Sequence, residues 1–279
     1  MTDCAAPEEE HTMSGPAWLS AQANDHDLNE RKCEWAVQQV QLASAAVFED
    51  HRLSFAVSFQ EDEAPSSLTD DYREPARRRL PGFEIEGLHW IGGLDVSYPK
   101  TDSDEAIATL AILDYPNLSV RGTNIVVCVE VAIVRLTLHP AQVVHSISRR
   151  VHLSAPYIPS FLSMREAGPL VELINDCRAN QSLPFPQVFL VDGNGRLHER
   201  QAGLAVAVGI LADVPTCGCA KDYHPLINAS TERKEQAGWR YSQKEFKQTC
   251  RRVLKKRGDW LGVHSAETNE YVGAVSNDY

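Results

Sequence analysis

Gln187 to His198 reads QVFLVDGNGRLH, and the fold turns on it. Val188, Phe189, Leu190 and Val191 form an unbroken apolar run, as in a short strand buried on both faces, and the run stops at Asp192 before Gly193-Asn194-Gly195. The glycines let the chain turn sharply and leave main-chain groups open to a ligand. Open α/β sheets place their binding sites at such strand ends. Taken alone, Asp192 reads better as a cap for the next turn, and only partners elsewhere in the chain change that weighing.

Upstream, His89–Tyr98 (HWIGGLDVSY) reads as the first core strand, with Leu94 and Val96 on one face and Asp95 on the other. A buried Asp95 needs a metal ion or a basic group beside it; on an edge strand it would simply face water. Glu105–Leu113 is a second strand. Tyr115-Pro116-Asn117 then turns the chain into a third near Leu118, an antiparallel neighbour because the turn is short. Val143–Leu153 resumes a strand, closed by the prolines of Ser154–Pro159. A helix follows, with Phe161, Leu162, Met164, Leu170, Leu173 and Ile174 on its apolar side and Glu166 among them; Gly168-Pro169 is expected to bend or restart it. Downstream of Asp192, Gly203–Leu211 is a small-residue helix and Pro215–Ala220 a fifth strand ending at Lys221.

The flanks are less regular. Residues 1–28 have the composition of a disordered leader. From Asn29, Trp35, Val37, Val40, Leu42, Ala46 and Val47 recur at helical spacing. Glu61–Pro81 is a charged, turn-rich connection whose Arg77-Arg78-Arg79 reads better as a solvated loop than as a phosphate contact. Arg233–Arg257 carries ten Lys and Arg against Glu235 and Glu245, with Phe246, Cys250, Val253 and Leu254 as an apolar stripe. In a chain of net charge −11 that segregation can steer a polyanion to one end, or it can be a solvated helix face.

With 279 residues and 43% hydrophobic content the chain can bury one substantial core. Its acidic balance excludes a uniformly basic nucleic-acid coat. The seven cysteines form no CxxC pair and read as buried thiols of a reducing compartment, and no secretory signal is present, so cytoplasm or nucleus, including the nucleolus, is expected. Arg121–Gln142 (RGTNIVVCVEVAIVRLTLHPAQ) is apolar but interrupted by Glu130 and Arg135 and too short to span a membrane.

The runs IGGLDVSYPK, SAPYIPSFLSMREAGPL, PQVFLVDGNGRLH and the later CAK, in this order, resemble those of the endonuclease V family of inosine-directed nucleases. The resemblance covers roughly residues 30–223 and implies an α/β, ribonuclease-H-like fold with a mixed five-stranded sheet flanked by helices, the catalytic domain spanning 29–279. It further implies that Asp95, Glu166 and Asp192 hold Mg²⁺, with Mn²⁺ as a substitute. Lys221 would support the scissile phosphate and His198 would lie beside the site. Tyr157 would be the wedge filling the gap left by a flipped inosine. Leu162, Gly193, Gly195, Gly203 and Leu204 would line the hypoxanthine pocket, with main-chain groups reading the purine edge and guanine excluded for want of an acceptor. Tyr157 is otherwise an ordinary core tyrosine, and His198 a buried or solvated histidine.

The family cleaves the second phosphodiester 3′ to inosine in single-stranded RNA or DNA; the expected partner is such a strand, met by a monomer without membrane. RNA and DNA both stay open, with the long leader resembling the eukaryotic, RNA-leaning branch. Departures from the pattern define an alternative, a catalytically impaired binding variant. Ser160 stands where Gly is common, and Asp222 where a second Lys is common. Arg121–Gln142 lacks a counterpart and reads as an insertion of intron or gene-model origin. The family's Gly-His pair beyond a further strand is missing before Tyr279, so an incomplete C-terminal end is expected.

Overall fold

In WIGGLDVS small and apolar residues alternate with others, so a strand can bury one side. In the computed structural model Gly92, Leu94 and Val96 of this stretch are buried. The structure describes residues 28–59, 78–79, 83–100, 104–115, 143–221, 243–255, 259–264 and 271–276. In chain order the elements are α1 (Leu28–Ala45), β1 (Ala56–Phe59), β2 (Arg78–Arg79), β3 (Phe83–Glu86), β4 (Trp90–Ser97), β5 (Glu105–Asp114), β6 (Val143–His152), α2 (Leu162–Ala179), β7 (Val188–Asp192), α3 (Leu204–Ala212), β8 (Thr216–Cys219), α4 (Gln243–Val253), β9 (Asp259–His264) and β10 (Tyr271–Ser276).

Five strands form one mixed sheet in the order β6-β5-β4-β7-β8. The pairs β6–β5 and β5–β4 are antiparallel, whereas β4–β7 and β7–β8 are parallel. Parallel neighbours need a crossover, and α3 supplies it between β7 and β8. Helix α2 packs on β4 and β5, α3 on β7 and β8, the two helices on each other, and α1 on α3. Leu94, Leu110, Ile112, Leu170, Leu173, Phe189, Val191 and Val208 are fully buried in the resulting core. At Gly92 an added Cβ would lie 2.4 Å from the Phe189 ring, so a side chain there would displace the aromatic from the sheet.

Several expectations need correction. The helix does not restart at Gly168-Pro169: α2 runs through Pro169 for 18 residues, and Gly168 offers the proline ring no Cβ to clash with. Arg78 and Arg79 are not loop residues but pair with Trp260 and Asp259 of β9. Within the basic segment the described helix is Gln243–Val253, and residues 233–242 and 256–257 lie outside the described residues. Its stripe does form: Phe246, Val253 and Leu254 are buried while Lys244, Lys247, Arg251 and Arg252 are exposed. Of the five described free cysteines only Cys177 is buried; Cys33 and Cys217 are exposed. The leader, the strand near Leu118, the 121–142 run and Asp222 lie outside the described residues.

The hairpin β9–β10 had no expected counterpart in the sequence. It packs with Phe246 of α4 and with Leu197, which follows the Asp192 loop, and at Gly273 a Cβ would come within 2.4 Å of Leu197. The basic helix and the hairpin are thereby attached to the loop that leaves β7. Among the described residues no helix is long and apolar enough to cross a membrane.

Candidate functional site

Leu94 of β4 lies opposite Val191 of β7 in parallel register, so the next residues along the two strands are Asp95 and Asp192. Parallel pairing thus sets side by side two carboxylates almost a hundred residues apart in the chain. Asp192 in turn pairs with Cys219 of β8, and two residues further Lys221 places its Nζ 3.5 Å from Asp192 Oδ2. Ser97 Oγ donates to Asp95 Oδ2 at 3.0 Å.

The third carboxylate comes from α2. Ser163, Glu166, Ala167, Leu170, Leu173, Ile174 and Cys177 are its buried face at three- and four-residue spacing, so Glu166 is only 5% exposed within an apolar stripe. Burial pushes its carboxyl up to about 7, partly countered by a hydrogen bond from the Tyr98 hydroxyl; the charges of Asp95 and Asp192 raise it further and Arg165 lowers it. Asp192 is also raised, first by burial and then by Asp95, with Lys221 opposing. The guanidinium of Arg165 lies 5.4 Å from the centre of the Tyr98 ring.

A hard divalent cation would relieve the raised carboxyls of Glu166 and Asp192, and all-oxygen ligands from separate elements suit Mg²⁺. In chemistry the residues fit such an ion. They are not gathered into a finished cage: among the described residues no three His, Cys, Asp or Glu groups stand at metal-holding separations.

The expected pocket residues cluster around the start of α3. Gly203 N–H donates to Gly195 O at 3.0 Å, and Ala205 N–H to Asn194 O at 3.1 Å. A Cβ on Gly203 would meet Asn194 O at 2.1 Å, and Gly193, at φ 154°, has Leu204 Cβ 3.0 Å from its own Cβ position. Glycine is needed at both places, for contact in the first and conformation in the second. Leu162 and Leu204 belong to the same apolar core. One expectation narrows: the N–H groups of Gly193 and Gly203 are already committed, to Cys219 O at 3.2 Å and to Gly195 O, so they are not the donors that meet a purine edge.

Tyr157 is no core residue. It is 68% exposed in the loop between β6 and α2. That loop ends at Ser160, which has φ 69°, the left-handed region that explains why glycine is common there. Ser160→Gly is expected to stabilise the protein by about 1 kcal/mol in urea unfolding, since the strain of a non-glycine residue is removed; an unchanged midpoint would mean the serine carries no strain. His198 is buried. Its Nδ1 accepts from Arg200 N–H at 3.3 Å, which leaves the proton on Nε2, and Nε2 donates to Ser160 O at 2.9 Å. The imidazole therefore holds the Tyr157 loop through Ser160 O.

Tyr98, Ser97, Arg200 and Gln39 were not singled out from the sequence. Gln39 alone left a trace there, as a polar residue on the Trp35 and Leu42 side of α1.

The endonuclease V family model matches residues 126–275, which takes in most of the run read as an insertion and extends into β10. Human endonuclease V is 40% identical over 146 residues, covering 52% of this chain and 43% of that protein. The protein from Protochlamydia amoebophila is 32% identical over 173 residues, covering 61% of each. The chain thus spans about half the length of the curated relatives it matches. Among solved structures, the catalytic domain of human endonuclease V matches with a TM-score of 0.55 at 28% identity, over 88% of this chain and 75% of that one. Ciona intestinalis endonuclease V, in complex with a 24mer DNA containing an inosine followed by a ribo-adenosine, matches with a TM-score of 0.59 over 89% and 77%, and at 24% identity this concerns the ribonuclease-H-like fold alone. A match across more than half of the chain, on a sheet that aligns Asp95 with Asp192, establishes that the chain belongs to the endonuclease V family.

Proposed function

We propose that the chain is a divalent-metal-dependent endonuclease that hydrolyses the second phosphodiester 3′ to inosine in single-stranded RNA or DNA. The observation that carries this is the β4–β7 register that sets Asp95 at the level of Asp192, with buried Glu166 within electrostatic reach of both, Lys221 paired to Asp192, and Tyr157 exposed. The inosine-containing DNA bound by the Ciona relative supports the substrate class.

Asp95, Asp192 and Glu166 would hold Mg²⁺ or Mn²⁺, which when bound supplies a Lewis acid to the phosphate and an activated water. The remaining work belongs to the chain itself. Lys221 Nζ offers a positive charge where negative charge grows on the phosphate. The Tyr98 hydroxyl orients Glu166 through its hydrogen bond. The Tyr157 ring stacks where the purine has left, and Leu162, Gly193, Gly195, Gly203 and Leu204 form the cavity wall that receives it. The exposed Lys and Arg of α4, joined through the hairpin to the Asp192 loop, draw the strand toward the site.

The second reading, an inosine-binding variant that does not cut, is favoured by the unfinished cage. Incubation with inosine-containing RNA and DNA and inosine-free controls, in Mg²⁺ and in EDTA, separates the two. Metal-dependent nicking of the inosine strands alone supports the nuclease; inosine-selective binding without nicking supports the variant. Tyr157→Ala is expected to weaken inosine-strand binding about tenfold, as loss of one stacked base does, and to leave the thermal midpoint unchanged because the side chain is exposed. Equal affinity in a fluorescence titration would remove the wedge role.

A further inference from the structure

Gln39 is a polar side chain with no exposed surface, on a helix remote in sequence from the acids. Its Nε2 lies 3.1 Å from Ser160 O, 3.0 Å from Ser163 Oγ and 3.3 Å from Ala202 O, and its Oε1 accepts from Arg200 Nε at 2.5 Å. Arg200 also donates through Nη2 to Ser160 O at 3.0 Å, and its guanidinium covers the Phe161 ring at 4.3 Å. Trp35, one turn before Gln39, meets the other side of this corner, with its ring 5.8 Å from that of Phe161. One carbonyl, Ser160 O, thus gathers donors from α1, from His198 and from Arg200.

We propose that Gln39, acting with Arg200, is a positioning residue that clamps the Ser160 carbonyl and so sets where Tyr157 stands relative to the pocket at Gly203. This rests on the nuclease reading for its purpose, though not for its geometry. The same amide group reaches two loops, binding Ser160 O at the foot of the Tyr157 loop and facing Ala202 O immediately before Gly203. A buried amide whose hydrogen bonds join two loops fixes their separation, because any change leaves a buried polar group unpaired. Helix α1 thereby becomes part of base recognition without touching the base.

Gln39→Glu keeps the volume and the acceptor for Arg200 but cannot donate to the two carbonyls, and Gln39→Leu removes both functions. In the full chain, hydrogen exchange at the amides of Tyr157, Ile158 and Ser160 is expected to rise about tenfold in Gln39→Glu, while amides in β5 and α2 keep their protection. Binding is read in EDTA from the fluorescence of 2-aminopurine placed beside inosine, so that no metal is needed. Affinity is expected to fall about tenfold in Gln39→Glu and not to fall further when the substitution is added to Tyr157→Ala, because both act through the same ring. With Mg²⁺ the loss is expected in KM with kcat within about twofold. Additive losses in the double variant, or unchanged exchange in the loop, would overturn the clamp. If the unaltered chain shows no inosine-dependent fluorescence, the nuclease reading fails, and the clamp is judged on exchange alone.

Discussion

Asp192→Asn is expected to lower the rate of nicking beside inosine by about a thousandfold or more, with affinity for the uncut strand unchanged or slightly improved. The substitution keeps the shape at the end of β7 and removes one negative charge. That charge does two things in the structure. It pairs with Lys221 at 3.5 Å, and together with Asp95 it adds to the negative charge that raises Glu166. On the proposed reading a divalent ion would then lose the hard oxygen ligand that the parallel register places at the level of Asp95. The strand itself, being anionic, is repelled less by the variant, which is why binding should survive. Single-turnover cleavage with saturating Mg²⁺, alongside binding in EDTA, checks both halves. A variant that cuts within tenfold of the unaltered chain would show that Asp192 is only the turn cap that its sequence position also allows.

The second large effect concerns Glu166→Gln and pH. Burial raises this carboxyl to about 7 in the folded protein, above its ordinary value of 4.5, so the folded state holds the proton more tightly than the unfolded chain does. Its stabilising contribution is therefore complete below about pH 4.5 and is lost as pH rises through about 7. From this group the metal-free protein should lose on the order of 3 kcal/mol between pH 4.5 and pH 8. Glutamine has no proton to lose and can still accept from the Tyr98 hydroxyl. Glu166→Gln should then match the unaltered chain at about pH 4 and exceed it by that amount at about pH 8 in EDTA. With Mg²⁺ the order reverses at pH 8, since a cation stabilises the ionised acid and does nothing for the amide. Urea unfolding under the four conditions tests this. Parallel pH profiles of the two proteins in EDTA would mean that Glu166 is not held in the low-dielectric setting described here.

Much of this was legible in the linear chain because it is written in short-range periodicity. Alternation in WIGGLDVS, the apolar run before Asp192 and the three- and four-residue spacing in α2 each report burial of one side of an element, and an element carries that pattern wherever it ends up. The order of strands and helices then constrained the sheet, and Asp95, Glu166 and Asp192 could be named as acids on separate core elements. The hairpin of β9 and β10 was not legible, since its residues pack on Leu197 and Phe246, partners far from them in sequence. Arg78 and Arg79 misled for the same reason, as their strand exists only through pairing with β9.

What the amino-acid sequence determined alone is the elements of the central sheet with the helices α1, α2 and α3, and the acids they bear, because local side-chain pattern decides which face of a strand or helix avoids water. Tertiary structure alone decided three matters: that Asp95 and Asp192 lie at one level, that His198 serves Ser160 O, and that Gln39 bridges the loops bearing Ser160 and Ala202. Register and buried hydrogen bonds depend on residues brought together from distant positions, and no local pattern encodes which partner a buried polar group will find.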